Sequence, residues 1–80
     1  MGASSAAGES KAYWQKQIDD LQGVINRLKS DNARDRETAK NNPRNRDYYK
    51  KRIEQRTKEI KMHQERLKGL RESKARASNK

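Results

Sequence analysis

Apolar side chains recur at Trp14, Ile18, Leu21, Ile25 and Leu28 and again at Tyr49, Ile53, Ile60, Leu67 and Leu70, and the single proline, Pro43, stands between the two sets. Steps of four and three residues trace the seam of a heptad, whereas a strand would alternate at every second position. The spacing predicts two helices. Carried on in the same register, the first seam reaches Asn32, Asp35 and Ala39, and the second takes in Arg56, His63, Lys74 and Ala77. Pro43 has no N–H to donate and biases Asn42 away from helical angles, so the first helix should stop there. Asn42 then reads as a cap and Pro43 as the first residue of the second helix. The expected fold class is all-α: an antiparallel two-helix hairpin of coiled-coil type, with helix 1 over 10–40, a turn at 41–43 and helix 2 over 43–77. The stretch 1–9 (MGASSAAGE) is small and unpatterned and reads as a disordered tail, as does 78–80.

Reversal at Asn42 brings specific layers together. Trp14 should meet Leu70, Ile18 meet Leu67, and Ile25 meet Ile60, with Leu21 against His63, Leu28 against Arg56, and Asn32 against Ile53. On the flank of the seam, Asp31 should face Arg52 with opposite charge. One short dry core is therefore expected at the open end of the hairpin, with a wet turn end. Acid-before-base pairs at Asp47/Lys51, Glu54/Lys58 and Glu72/Arg76 should each add a few tenths of a kcal/mol to the second helix. Gly23 and Gly69 fall inside the helices at a cost of roughly 1 kcal/mol each against alanine.

The core is thin. Only 29% of the 80 residues are hydrophobic, with alanine counted in that figure, and 40% are charged. A chain of this size and composition buries too little apolar surface to offset easily the entropy of ordering it. The hairpin is therefore expected to self-associate or to be completed by a partner, with helicity that rises with concentration.

Charge is the second constraint. The chain carries 21 Lys and Arg against 11 Asp and Glu, a formal net charge of +10. Residues 1–40 hold seven bases and six acids, so the excess belongs to residues 41–80, where fourteen bases face five acids. Arg44, Lys51 and Lys58 recur every seventh residue opposite the seam, with Lys50, Lys61 and Lys68 beside them. They form a basic stripe about 20 Å long at the helical rise. Such a stripe suits an anionic complement. The expected function is a non-enzymatic interaction or adaptor protein whose second helix docks on an acidic partner surface. A nucleic-acid-associated accessory protein is the alternative, with weakly sequence-specific phosphate contacts whose affinity falls with salt. A solvated face that only keeps the protein soluble is the plainest reading of any charge run. A membrane-surface helix is poorly served, because Ile53, Ile60 and Leu67 make too thin a wedge.

Chemistry is scarce. There is no cysteine, so disulfides and thiol-based metal sites are excluded. His63 is the one histidine, and Glu59 one turn before it reads as a partner holding the imidazole at the seam's edge. Asp19 and Asp20 point about 100° apart on a helix and do not form an acid–base couple. No phosphate loop, nucleophile elbow or calcium loop is present. No enzyme activity, cofactor or small-molecule substrate is expected. No apolar run is long enough to cross a membrane and the start lacks a signal-peptide pattern, so the protein is expected in the cytoplasm unless a signal-independent export system takes it. Met1–Ala6 approaches an N-myristoylation signal, but Ala6 stands where Ser or Thr is wanted.

Trp14, with Tyr13, opens the first seam and reads as a plug resting on Leu70 or as an anchor for a partner. Val24, Tyr48 and Met62 lie off the seam and could form a second, short contact stripe for oligomerisation. In layout, two helices joined by the polar turn Asn41-Asn42-Pro43, the chain is similar to the small hairpin substrates of type VII secretion and to type III secretion needle subunits. A proline in the turn followed by the helix start bearing Tyr48 and Tyr49 is the needle-like feature. The Trp-x-Gly turn of the former group is missing, since the nearby glycine pattern Leu21-Gln22-Gly23 is inside the first helix. In composition the chain also resembles small basic ribosome-associated and phage-encoded accessory proteins. These likenesses imply a further alternative, a structural subunit of a secreted or phage assembly.

Overall fold

The computed structural model describes residues 9–77. The acylation motif and, apart from Glu9, the two expected tails lie outside them. Helix α1 spans Lys11–Asn41 and helix α2 spans Arg46–Arg76, joined through one 3-10 turn at Pro43–Asn45. The helices lie against each other as an antiparallel hairpin of 60 × 19 × 15 Å, with no strand among the described residues.

Each helix end has a local cause. Ser10 precedes α1 in an extended conformation, and its Oγ accepts the Tyr13 N–H at 3.2 Å, filling one of the donors a helix start leaves open. At the other end the Asn42 backbone N–H donates to the Ala39 carbonyl (3.3 Å) and its Nδ2 donates to the Thr38 carbonyl (2.9 Å). The side chain expected to open the second helix thus closes the first. Pro43 then begins the 3-10 turn, the Asn45 N–H donates to the Asn42 carbonyl at 3.0 Å, and α2 starts at Arg46. Lys74 and Arg76 in the last turn of α2, and Asp47 in its first, carry charges of the sign that the helix dipole favours.

The dry core is short and lies away from the turn. Ile18, Ile25, Ile60 and Leu67 are buried, and Leu21, Leu28 and Leu70 pack against them half-exposed. Trp14 and Ile53 are half-buried, and the Trp14 ring meets Tyr13 edge-on at 5.0 Å. Near the middle of the hairpin the seam turns polar. Asn32 and Asp35 are buried, and Arg56 Nη1 donates to both, at 3.0 Å to Asn32 Oδ1 and 2.7 Å to Asp35 Oδ2. Asn32 Nδ2 donates to Thr57 Oγ1 at 3.2 Å, and Arg52 Nε lies 3.3 Å from Asp35 Oδ2. No buried side-chain nitrogen or oxygen lacks a partner among the described residues, as a polar layer inside a seam requires.

This layer corrects the expected register. Asn32 meets Arg56 and Thr57 instead of Ile53, and Arg52 pairs with Asp35 instead of Asp31. Every one of these partners is displaced by about one helical turn. The 3-10 turn explains it: three residues expected to belong to helix 2 are used in reversing the chain. At the open end, Lys74 Nζ donates to Gln15 Oε1 and Lys11 Nζ to the Lys74 carbonyl at 2.8 Å, so Trp14 stands level with Lys74. The expected ion pairs Asp47/Lys51, Glu54/Lys58 and Glu72/Arg76 do not close. The one i,i+4 pair among the described residues is Lys16–Asp20 at 3.4 Å, between exposed groups. On surfaces this open, side-chain entropy and hydration outweigh a weak Coulomb attraction.

Candidate functional site

A heptad helix places residues seven apart on one edge, and two antiparallel helices share the edges that flank their seam. On one edge, α1 contributes Lys29 and Arg36, and α2 contributes Lys50 and Arg71. Next to the turn this edge opens into a solvent-facing trough of about 580 Å³, where Arg36 and Lys40 from α1 face Arg46 and Lys50 from α2. Ala39 and Ile53 form its floor, and Glu54 is its one carboxylate. Further along, a smaller trough of about 310 Å³ lies between Lys29 and Arg71 above Ile25 and Leu67.

The opposite edge mixes both signs of charge. Asp20 and Arg66 line its trough toward the open end, and Glu59 shares the other with Arg52 and Arg56. Those two arginines are already engaged. The hydrogen bond from Arg56 is the strongest influence on Asp35, and with the charges of Arg52 and Arg56 it outweighs desolvation, holding the carboxyl below its usual 3.8. Arg52 in turn donates from Nη1 to Tyr48 Oη at 3.0 Å, and that bond, followed by the charge of Asp35, makes its guanidinium still harder to deprotonate.

Arg44, Lys50, Lys51, Lys58, Lys61 and Lys68, the basic residues singled out in the sequence, are all exposed. None has a carboxylate within 4.0 Å among the described residues. The trough brings in only Lys50 of the six. Its other three bases escape the sequence reading: Arg36 and Lys40 because α1 is nearly neutral as a whole, and Arg46 because it lies outside the seven-residue repeat of Arg44, Lys51 and Lys58. Lettering the flanking heptad positions of both helices reveals Arg36, which falls with Lys50 on one shared edge, whereas Lys40 and Arg46 join them only in the folded hairpin.

Tyr48 is exposed, and one face of its ring is already occupied. The Arg52 guanidinium lies over its ring at 5.5 Å, and Tyr49 meets it edge-on at 5.1 Å. His63 is half-buried in the seam with no hydrogen bond to Glu59 among the described residues. Gln15 holds Asp19 at 2.7 Å and Lys16 holds Asp20, so the adjacent acids point to different partners. Among the described residues no three His, Cys, Asp or Glu side chains converge as a metal site would require. Among the described residues no helix is long and apolar enough to cross a membrane. No protein-family model, curated protein or solved structure matches this chain.

Proposed function

We propose that the hairpin is a non-enzymatic interaction module of the cytoplasm that holds an acidic protein surface on its cationic side. The observation that carries this reading is the gathering of four cations around one trough. On the opposite edge Arg52 and Arg56 are tied to Asp35, whereas Arg36, Lys40, Arg46 and Lys50 surround one trough with a single carboxylate among them. Four cations gathered in this way repel one another until an anionic partner arrives. The same repulsion disfavours a second copy of the chain on that edge. Nucleic acid is a weaker fit. The exposed tyrosine that would stack on bases, Tyr48, already carries Arg52 over one face and lies outside the trough, whose floor is apolar.

A salt-titrated binding assay tests the reading. Polyglutamate and a random single-stranded oligonucleotide of equal charge are compared from low to physiological ionic strength. Preference for the polypeptide at physiological salt is the expected result. Tighter oligonucleotide binding, with log-linear loss as salt rises, would transfer the surface to nucleic acid.

A further inference from the structure

The trough beside the turn has a property that charge alone does not require: an apolar floor left open. Elsewhere along the hairpin the seam is filled, by Ile18, Ile25, Ile60 and Leu67 at the dry end and by the Asn32–Asp35–Arg56 layer at its middle. Beyond that layer α1 offers Ala39, whose methyl group is too short to cover Ile53, and both remain half-buried. We propose that this trough is the docking site for an acidic amphipathic helix of a partner protein. Its carboxylates pair with Arg36, Lys40, Arg46 and Lys50, and one apolar side chain enters over Ala39 and Ile53. The proposal rests on the reading above, that the partner is an acidic protein, and adds the place and the form.

Three features converge on such an occupant. The four cations stand on both walls, two from each helix, so a helix lying in the trough meets opposite charge along both flanks. The floor accepts an aliphatic side chain, the usual anchor of a helix seated in a groove, and a phosphate backbone offers nothing to fill it. Lastly, the walls are held apart in advance. Arg56 ties Asn32 and Asp35 across the helices one turn from Ala39 and Ile53, so binding need not organise the trough.

The test uses two labelled 14-residue helical peptides of identical charge, one with a leucine stripe flanked by glutamates and one with alanines in place of the leucines. Wild-type protein should bind the leucine peptide roughly tenfold more tightly, the contribution of one buried aliphatic side chain. Ala39→Leu fills the floor without touching any charge, and should erase that ratio while leaving the affinity for the alanine peptide unchanged. Equal affinity of wild-type protein for the two peptides, both falling with salt, would overturn the docking site and leave the acidic-partner reading standing. Absence of binding to either at low salt would overturn both. Retention of the leucine preference in Ala39→Leu would also sink the site. Should that variant melt early, charge reversal decides instead: Arg36→Glu with Lys50→Glu must weaken the leucine peptide far more than Lys58→Glu with Lys61→Glu on the outer face of α2. Equal losses from the two pairs would remove the site.

Discussion

In the half of the hairpin away from the turn, Ile25 is 1% exposed and Leu67 4%, and the helices are held by packed aliphatic side chains. In the half next to the turn the same seam carries Ala39, Tyr49 and Ile53, no apolar residue is buried, and the polar layer of Asn32, Asp35 and Arg56 marks the border. One periodicity thus builds two kinds of contact. Aliphatic packing supplies driving force but tolerates a slide by one turn, because α1 carries an aliphatic residue at every seam position from Ile18 to Leu28 and meets Ile60 and Leu67 with one in either alignment. The polar layer adds less driving force and rejects the slide, because Asp35 and Asn32 would be buried without Arg56. Stability therefore concentrates at the dry end, and the choice of register at the border. The turn half is left with an open surface for recognition.

The largest effect that can break this division comes from truncating one isoleucine in each half. Ile25→Ala removes a fully buried side chain and is expected to cost about 3 kcal/mol, enough to unfold a marginal hairpin at room temperature. Ile53→Ala removes a half-buried one over the trough and should cost roughly 1 kcal/mol or less. Thermal or urea denaturation followed by circular dichroism checks both. Equal losses would mean that the turn half is packed as tightly as the dry end, contrary to the open floor at Ala39.

A second, smaller effect tests the border. The folded-state pKa of Asp35 lies below its usual 3.8, so its contribution to stability is complete above that value and is lost as pH falls through the lowered one. Asp35→Asn should cost about 2 kcal/mol at neutral pH, since asparagine can still accept from Arg56 but leaves its charge and that of Arg52 uncompensated. Melting temperature followed from neutral pH into the acid range should fall less steeply for Asp35→Asn than for wild type. Parallel curves would show that the pair with Arg56 does not bear on folding.

Much of this fold was legible in the heptad spacing and in Pro43: two helices, their reversal, and a dry end opposite a wet one. The register was not. Sliding α2 by one turn keeps the same face toward α1, so the periodicity of Ile53, Ile60 and Leu67 is satisfied by either alignment. Only the polar partners distinguish the two, and the deciding fact, a 3-10 turn over Pro43–Asn45, is a local backbone geometry that the seam does not encode. The candidate site was half legible for a related reason. Charge summed along each helix draws attention to α2, yet a trough is made by one edge from each helix. Arg36 and Lys40 become part of it only when the helices are placed side by side.

The two glycines within the helices sharpen the comparison with the smallest expected effect. Gly23 and Gly69 both lie toward the dry end, and the sequence between them contains no other glycine. A packed segment can carry the helix-weakening cost of glycine because tertiary contact holds it, whereas the turn half depends on intrinsic helix propensity. A Cβ at either position would meet nothing within 4 Å, so alanine fits without rearrangement. Gly23→Ala and Gly69→Ala should each raise stability by about 0.5–1 kcal/mol, and the double variant should show their sum, the sites being independent. Denaturation midpoints of the three variants provide the measurement. A gain near zero would mean that the helical state there is fixed by the isoleucine core alone, with no further gain from backbone propensity. Gains that depend on protein concentration would instead show that the dry end is completed between chains, and the division of labour would then belong to an assembly.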